Sequence, residues 1–462
     1  CEFAERFLKG NHAYIVCTHI DKKHIHNHII WNSTALSCDR KFRNFWGSTK
    51  AVRHLSDLIC AENGLSIVEH PNRHGKSYNK WRGERAEPTQ LEQVHSAIDA
   101  ALSQKPADWN AFVSLLAENG CEVLYGVKAT AIDCGAKTIA LDNGESLSYN
   151  ELCVAAGSSP FVPPMKGLET VEKKFGFMTL DDTLELEKAI TPDSRVLIVG
   201  AGLIGLKCAE GICGRVAGIT VCDLADRVLS SILDNASAAV VQRKLEKNGI
   251  GFLLSDSVSE FDAGRAVMKS GVVLDFDILV LAVGVRANSS LVRDAGGICG
   301  RGIDVDDRMK TSLDCVYAAG DCTESTDISD GMVKVMALLP NAYMQGRCAG
   351  INMAGGDAVF DNAIPMNSIG FFGLHIMTAG TRDPDGEVYE EISGENTKKL
   401  FTKNGYLTGF MLIGDVDRAG IYTSVIRNRV PVSEIDFDSL KKVPNLFAFN
   451  AEYRRKKLGG VV

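Results

Sequence analysis

The chain has 462 residues, of which 45% are hydrophobic and 23% charged, and its formal net charge is −8. Its length suggests two to four domains, and its composition is that of an ordinary folded protein. No apolar run approaches the roughly 18 residues of a membrane-spanning helix, and the 14 cysteines include no Cys-x-x-Cys pair, so we expect neither a membrane protein nor a disulfide framework but reduced thiols in the cytoplasm.

The charges are unevenly distributed along the chain. Residues 1–90 hold 14 lysine and arginine residues against 9 acidic residues, a net of +5, whereas the remaining 372 residues hold 36 against 49, a net of −13. Nine of the ten histidines lie before residue 96, and all four tryptophans lie before residue 110. One domain rarely segregates residues in this way, so the sequence predicts two unlike modules, of which the first is suited to a polyanion.

A histidine-rich segment follows the first predicted strand. His19 and Asp21 precede His24, His26 and His28, and in a strand the last three histidines would share one face. Imidazole binds transition metals well, and a nearby carboxylate can orient a ligand. A single histidine would favour an ordinary solvated strand, but four histidines and one aspartate within ten residues predict a divalent-metal site.

This segment resembles the metal motif of plasmid and transposon relaxases, mobilisation nucleases with a His-hydrophobic-His core. The resemblance continues through residues 40–45, 51–56, 62–66, 75–78 and 105–112, and it fades near residue 123. It implies that His19, His26 and His28 hold the ion, which polarises a phosphate of single-stranded DNA, with His24 as an extra member. Relaxases use a tyrosine nucleophile upstream of the histidines. Tyr14 lies in the predicted strand and is expected to be structural, so we expect the nucleophile to be absent. The resemblance therefore implies binding of metal and DNA without nicking.

The basic stretch 40–85 carries Trp46, Tyr78 and Trp81 among its cations. This composition is typical of an electrostatic groove with stacking faces for a single nucleic-acid strand. A solvated charged face with ordinary core aromatics would have the same composition. Both interpretations stay open at this point.

A strand, a glycine turn, a helix, a second strand and an acid follow one another between residues 195 and 223. The apolar strand 195–199 leads into Gly200-Ala-Gly202-Leu-Ile-Gly205, and a helix is predicted for 206–212. A second strand, 218–222, ends at Asp223. A Gly-x-Gly-x-x-Gly motif alone can be a purely structural turn, but with both strands and the acid in register it predicts dinucleotide binding.

Each part of this unit has a physical reason. Gly200 permits a tight turn, Gly202 lets the backbone approach a pyrophosphate, and Gly205 allows the helix and strand to pack closely. The N–H groups at the start of the helix favour the charge of the phosphates. Asp223 can accept hydrogen bonds from ribose hydroxyls and would repel a 2′-phosphate, so we expect NADH rather than NADPH.

Further motifs lie on both sides of this unit. A hairpin is predicted for 126–147 and is followed by Ala155-Ala156-Gly157-Ser-Ser-Pro160, while Gly284 follows the last nucleotide-domain strand and Gly320-Asp321 lies further downstream. In this order the motifs resemble the pyridine nucleotide-disulfide oxidoreductase family, which includes NADH-dependent rubredoxin and nitrite reductases and NADH oxidases. The resemblance runs from about residue 123 to residue 462.

The family resemblance assigns roles to these residues. It implies that Ala156 and Gly157 lie where the chain leaves the FAD-binding domain, that Gly284 lies at the exit from the nucleotide domain, and that Gly320 and Asp321 face the flavin. The implied reaction is hydride transfer from NADH to FAD, with electrons passing on to a small redox protein or small-molecule acceptor. Structural turns at the glycines and a helix cap at the aspartate are the alternatives.

The family also begins with a first Gly-x-Gly-x-x-Gly, which cradles FAD. No such motif occurs before Ala155, so we expect FAD binding, and with it the oxidoreductase activity, to be impaired. One alternative function is that of a relaxase-like mobilisation protein with metal-dependent binding of single-stranded DNA. Another is a non-functional chimera, produced by insertion of a mobile element or by joining of two fragments.

The predicted fold class is α/β: three-layer Rossmann-like NAD(P)/FAD-binding domains with an α+β C-terminal domain, preceded by an α+β relaxase fragment. The C-terminal domain often mediates dimerisation in relatives, so a homodimer is also expected. The predicted domains are a relaxase fragment (1–122), a remnant of the FAD-binding domain (123–190), an NAD(H)-binding domain (191–290), a return segment of the FAD-binding domain (291–350) and the C-terminal domain (351–462).

Overall fold

The computed structural model describes residues 2–19, 26–37, 48–62, 100, 103–104, 106, 109–118 and 122–450. The chain divides into two compact units, Cys1–Glu87 and Pro88–Val462. Within the described residues, no helix is both long enough and apolar enough to cross a membrane.

The described residues of the first unit form two helices and a β-hairpin: α1 (Glu2–Leu8), β1 (Tyr14–His19), β2 (His26–Trp31) and α2 (Ser48–Glu62). β1 and β2 pair in antiparallel register, so that Tyr14 lies opposite Trp31 and His19 lies opposite His26. Arg6 of α1 forms an ion pair with Glu62 of α2 at 2.8 Å. The predicted strand that starts at Tyr14 is therefore confirmed.

The second unit begins with elements that surround its nucleotide domain. Strands β3, β4 and β5 form an antiparallel meander, where the sequence predicts a hairpin. The elements are α3 (Trp109–Glu118), β3 (Ala129–Asp133), β4 (Thr138–Leu141), β5 (Ser146–Ser148), β6 (Leu152–Val154) and β7 (Ser158–Pro160).

A five-stranded parallel sheet forms the centre of the nucleotide domain, with the strand order β11-β10-β9-β15-β8. The predicted strands at 195–199 and 218–222 are its strands β9 and β10. The elements of this domain are β8 (Lys174–Phe175), α4 (Leu180–Ala189), β9 (Arg195–Val199), α5 (Leu203–Ile212), β10 (Gly218–Asp223), α6 (Asn235–Lys247), β11 (Ile250–Leu254), β12 (Val258–Asp262), β13 (Arg265–Met268), β14 (Val273–Asp275) and β15 (Ile278–Leu281).

Both faces of this sheet are covered, which explains why β9 is apolar without interruption. Successive strand residues point to opposite faces. Val196 and Ile198 pack in the same cluster as Leu206 of α5, whereas Leu197 packs with Phe261 of the β12–β14 meander. The result is the predicted three-layer arrangement, with helices on one side and a small antiparallel sheet on the other.

The chain then returns to the elements that precede the nucleotide domain. β16 pairs with β7 in antiparallel fashion, and β18 pairs with β6 in parallel. β17, β19 and β20 form a separate three-stranded sheet. The elements are β16 (Val285–Ala287), α7 (Ser290–Asp294), β17 (Ile303–Asp304), β18 (Val316–Ala318), β19 (Thr323–Thr326), β20 (Val333–Val335) and α8 (Leu339–Met353).

The C-terminal part is an antiparallel sheet with short helices, as the predicted α+β domain requires. Its strand order is β21-β22-β25-β24-β23. Phe371 and Ile413 of this sheet belong to the same apolar cluster as Leu206 of the nucleotide domain. The elements are β21 (Met366–Phe371), β22 (Leu374–Gly380), β23 (Glu387–Ser393), β24 (Asn396–Lys403), β25 (Tyr406–Ile413), α9 (Gly420–Arg427) and α10 (Phe437–Lys442).

Candidate functional site

A cleft of about 760 Å³ lies at the carboxyl ends of the parallel strands β9, β10 and β15. This is the edge of an open α/β sheet at which ligands commonly bind. Gly200, Gly202, Asp223 and Gly284 all line the cleft. Gly205 lies behind it, buried in α5. The structure therefore brings together the predicted residues of the dinucleotide site.

The three glycines of the turn differ in their surroundings. Gly200 has φ +116°, and a Cβ at this position would lie 2.2 Å from the carbonyl oxygen of Ala282. A Cβ on Gly205 would lie 2.0 Å from the carbonyl oxygen of Gly200. A Cβ on Gly202 would meet nothing within 4 Å. Backbone packing therefore requires the first and third glycines, whereas the second leaves open space at the start of α5.

The carboxylate of Asp223 is held in a fixed orientation. Its Oδ2 accepts a hydrogen bond from the Ala201 N–H at 2.6 Å, and its Oδ1 accepts one from the Ala225 N–H at 2.8 Å. The next residue, Leu224, is 71% exposed and also lines the cleft. The carboxylate and an exposed apolar side chain therefore line the cleft next to each other.

Asp256 is a second carboxylate of the cleft, and it was not singled out from the sequence. It follows β11, and its N–H donates to the carbonyl oxygen of Asp223 at 3.1 Å. The Ser270 hydroxyl and the Ser257 N–H hydrogen-bond to the carboxylate and hold the pKa of Asp256 below its usual range. The position of Asp256 after a parallel strand was the feature of the sequence that could have indicated its place in the cleft. The cleft also contains one lysine, Lys269.

Two further predicted segments meet at the carboxyl ends of β6 and β18. Ala156 and Gly157 follow β6, and Gly320 and Asp321 follow β18. Gly157 and Gly320 have φ angles of +65° and +84°. The Ser158 hydroxyl donates to Oδ2 of Asp321 at 3.5 Å. The structure therefore brings the crossover segment and the Gly320-Asp321 pair together, although 163 residues separate Ser158 from Asp321 in the chain.

Asn288 holds the crossover segment in place. Its Nδ2 donates to the carbonyl oxygen of Ala156 at 2.9 Å, and its backbone N–H donates to that of Gly157 at 3.0 Å. Its Oδ1 accepts from the Ser159 hydroxyl at 2.8 Å. A single asparagine has no periodicity or motif, so the sequence contains no signal for this role.

Gln345 of α8 is the corresponding amide on the other side. It is buried, and its Oε1 accepts from the Gly320 N–H at 2.8 Å. Its Nε2 donates to the hydroxyls of Thr323 and Ser325 at 3.1 and 2.8 Å. One amide side chain therefore fixes Gly320 relative to β19.

The start of α8 lies beside Gly320, because a Cβ on Gly320 would lie 3.7 Å from the Ala342 Cβ. Leu339 and Tyr343 of this helix are 87% and 74% exposed. The region therefore offers a carboxylate, two glycine turns and an open apolar surface, which fit part of a flavin. Within residues 122–450, the strand–glycine turn–helix unit at 195–212 has no second copy. A second pyrophosphate cradle, which FAD would need, is not among those residues.

The predicted metal site stays a prediction. The backbone register places His19 opposite His26 and Cys17 opposite His28. The side chains of these histidines lie outside the part of the chain that the structure describes, as do Asp21 and His24 entirely. Trp46, Tyr78 and Trp81 of the basic stretch also lie outside the described residues.

Comparison with known families gives two matches. Residues 64–346 match the pyridine nucleotide-disulphide oxidoreductase family. Residues 1–65 match the MobA/VirD2-like relaxase nuclease domain. Both family resemblances predicted from the sequence are confirmed, although the matched ranges differ from the predicted ranges 1–122 and 123–462. The two matches meet at residues 64–65, and the two compact units divide after Glu87.

Individual proteins show similar relationships. The chain is 30% identical over 327 residues to the NADH-dependent phenylglyoxylate dehydrogenase subunit epsilon of Aromatoleum evansii, covering 68% of this chain and 77% of that protein. It is 30% identical over 393 residues to the assimilatory nitrate reductase electron transfer subunit of Bacillus subtilis, covering 82% of this chain but only 47% of that subunit. It thus spans about half the length of that relative.

Solved structures share the fold. A NAD-dependent persulfide reductase from A. fulgidus superposes with a TM-score of 0.64 at 26% identity, covering 72% of this chain and 66% of that one. The family match extends over more than half of the chain. The chain belongs to the pyridine nucleotide-disulphide oxidoreductase family.

Proposed function

We propose that this chain binds NADH in the cleft at the carboxyl ends of β9, β10 and β15, and that it acts in NADH-dependent electron transfer. The observation that carries the proposal is the oriented carboxylate of Asp223, which faces a cleft opened at the start of α5 by Gly202. The name of the A. evansii relative includes NADH dependence, which agrees with this choice of cofactor.

Different groups of the cleft would bind different parts of the dinucleotide. The first N–H groups of α5 have no partners within the helix and point toward the space beside Gly202, where they would hold the pyrophosphate. Asp223 would accept hydrogen bonds from the adenosine ribose. The cleft also contains the charge of Asp256, so a 2′-phosphate would meet two carboxylates against one lysine, which favours NADH over NADPH.

FAD, when bound, would accept the hydride of NADH and pass electrons to an acceptor. Gly157, Gly320, Asp321 and the start of α8 would contact it. We propose that FAD binding is impaired in this chain, because residues 1–154 contain no Gly-x-Gly-x-x-Gly motif. A small redox protein is the proposed electron acceptor. The name of the B. subtilis relative, an electron transfer subunit, supports a role in electron transfer.

Isothermal titration calorimetry of the full chain with NADH and with NADPH tests the cofactor assignment. We expect saturable binding of NADH and at least tenfold weaker binding of NADPH, which corresponds to about 1.4 kcal/mol. Absence of heat with NADH, or equal affinities, would contradict the proposal.

Equilibrium dialysis against FAD tests the proposed impairment separately. We expect the full chain to retain much less than one FAD per polypeptide, and its absorbance spectrum to lack the flavin bands. Retention of one FAD per chain would disprove the impairment while leaving the NADH assignment unaffected.

A second candidate function rests on the relaxase match of residues 1–65. In this proposal, His19, His26 and His28 bind a divalent metal, and the basic first unit binds single-stranded DNA without cutting it. Fluorescence anisotropy of a labelled oligonucleotide, with Mn²⁺ or with a chelator, tests it. We expect metal-dependent binding that the double variant His26→Ala, His28→Ala loses. Metal-independent binding, or strand cleavage, would contradict it.

A further inference from the structure

A cysteine and a lysine far apart in the sequence meet on the surface of the second unit. The Lys137 ammonium donates to Sγ of Cys315 at 3.0 Å, across 178 residues of sequence. Lys137 lies in the turn between β3 and β4, and Cys315 directly precedes β18. The contact therefore joins the antiparallel meander to the return segment.

The backbone holds both residues in place. Each has a left-handed conformation, with φ +50° for Lys137 and +57° for Cys315, which is uncommon for residues other than glycine. The Lys137 carbonyl accepts from the Tyr149 N–H at 3.0 Å, and the Cys315 carbonyl accepts from the Leu152 N–H at 2.9 Å. The segment 149–152 thus fixes the two backbones at its two ends. The backbones on both sides of the Lys–Cys contact are consequently held in place, and the Lys137 side chain spans the distance between them.

The sulfur is also accessible. Cys315 is half-buried and lines a surface pocket of about 450 Å³, which is large enough to admit a small oxidant. The buried cysteines Cys208 and Cys322 lack such access. An adjacent ammonium stabilises negative charge as it develops on sulfur, which is the environment in which thiols react.

We propose that Cys315 and Lys137 form a peroxide-sensitive site, in which oxidation of the thiol leads to a covalent sulfur–nitrogen bond between the two side chains. In the first step, sulfur attacks one oxygen of a hydroperoxide and the O–O bond breaks. With hydrogen peroxide, the products are the sulfenic acid of Cys315 and water, with the thiol proton leaving on the departing oxygen. Sulfur is oxidised by two electrons, and the peroxide is reduced.

In the second step, Lys137 gives one proton to solvent, and its neutral amine attacks the sulfur of the sulfenic acid. The N–S bond forms, the S–O bond breaks, and the hydroxyl leaves as water with a second proton from nitrogen. The product is a sulfenamide, in which the two side chains together have lost two hydrogen atoms. No second equivalent of oxidant is required.

The capture step has a defined pH dependence. In the reduced protein, the hydrogen bond to Cys315 raises the pKa of Lys137, so the ammonium is the form beside the thiol at neutral pH. The capture step needs the neutral amine, so the yield of cross-link rises as the solution becomes more alkaline. The other titratable groups that face this pair are Glu151 and Asp314, which act on Lys137, together with Tyr149 and Tyr317.

Peptide mass spectrometry of the full chain after treatment with hydrogen peroxide tests the proposal. We expect a species that joins the peptides of Lys137 and Cys315, lighter by two hydrogens than their sum, and released by a thiol reductant. Its yield should increase several-fold between pH 7 and pH 9. The Cys315→Ser variant should lose this species. Cys213→Ser is the matched control, because that half-buried thiol donates to the Asn248 carbonyl and has no lysine beside it in the hydrogen bonds described.

Lys137→Arg separates the two steps. The guanidinium keeps a cation beside sulfur, so Cys315 should still form a sulfenic acid that dimedone labels, but the cross-link should disappear. Two results would overturn the proposal: a disulfide between Cys315 and Cys134 in place of the cross-link, or a Cys315 that peroxide modifies no faster than Cys213.

Discussion

The carboxylate of Asp223 accepts a hydrogen bond from the Ala201 N–H at 2.6 Å. The acid that ends β10 is therefore bound to the glycine turn that follows β9. The proposed ribose ligand and the proposed pyrophosphate cradle are one hydrogen-bonded unit. A substitution at position 223 consequently changes both the charge that faces the cleft and the support of the turn, and variants must separate the two effects.

Asp223→Asn should weaken NADH binding without unfolding the turn. The amide keeps an oxygen that can accept from the Ala201 N–H, but its nitrogen cannot accept from the Ala225 N–H. The substitution also removes the charge that strengthens hydrogen bonds to ribose hydroxyls. We expect roughly a tenfold loss of NADH affinity, or about 1.4 kcal/mol, and a smaller preference for NADH over NADPH. Calorimetry with both dinucleotides measures this.

Asp223→Ala is the comparison variant, since it removes the acceptor as well as the charge. It should lose NADH affinity to at least the same extent and should also lower the midpoint of thermal unfolding. Unchanged NADH affinity in the asparagine variant would show that the carboxylate does not contact the ribose.

Alanine at the first glycine of the turn should reduce stability, whereas alanine at the second should reduce NADH affinity. Gly200→Ala places a Cβ 2.2 Å from the Ala282 carbonyl oxygen at φ +116°, so we expect a loss of at least about 2 kcal/mol in the free energy of unfolding. Gly202→Ala meets no atom within 4 Å, so the protein should fold normally. It should nevertheless bind NADH at least tenfold more weakly, because the Cβ takes space next to the pyrophosphate.

Urea unfolding and calorimetry on both variants distinguish these effects. If Gly202→Ala binds NADH with the affinity of the unsubstituted chain, the pyrophosphate does not lie at the start of α5. If Gly200→Ala is as stable as the parent, the turn can move away from Ala282, and the steric argument is wrong.

The nucleotide domain was predictable from the sequence because its signals are local. The residues of β9 are apolar on both faces since the sheet is covered on both faces, and Gly200 and Asp223 lie at fixed distances from the strands that they follow. The order of the strands in the sheet was harder to predict. The pairing of β15 with β9, and of β8 with β15, joins strands that are not consecutive in the chain. β8 has only two residues, Lys174–Phe175, which is too short for a recognisable pattern.

The supporting amides were not predictable. Asn288 contacts Ala156 across 132 residues, and Gln345 contacts Gly320 across 25. Each is a single polar residue that bonds both to backbone atoms and to hydroxyl side chains distant in the sequence, and no local pattern indicates such partners. The role of Asp256 was partly predictable. Its position after a parallel strand indicates that it lies at the cleft, but nothing in the sequence indicates its hydrogen bond to Ser270.

Gln345→Ala should destabilise the second unit without affecting NADH affinity. The change leaves the Gly320 N–H and the hydroxyls of Thr323 and Ser325 without their amide partner in a buried region. We expect a loss of about 2 to 3 kcal/mol in the free energy of unfolding. Urea unfolding measures the loss, and calorimetry with NADH is the control because Gln345 does not line the cleft. Equal stability of variant and parent would mean that water replaces the amide.

The ion pair between Lys399 and Asp234 predicts how stability depends on pH. Lys399 is only 5% exposed and lies 2.7 Å from both Asp234 and Glu390. Burial alone would raise the pKa of Asp234, but hydrogen bonds from Lys399 and Ser237 together hold it below its usual range. Asp234 also caps α6 by accepting from the Ser237 N–H.

Because the pKa of Asp234 is lower in the folded than in the unfolded chain, its contribution is fully present above the unfolded value, near 3.9. It is lost as the pH falls through the lower folded value. Asp234→Asn keeps a side chain that can cap the helix but cannot titrate. We therefore expect the free energy of unfolding of the parent to fall more steeply than that of the variant as the pH decreases below about 4. Urea unfolding between pH 3 and pH 7 measures both slopes, and parallel slopes would show that Asp234 is not paired in the folded protein.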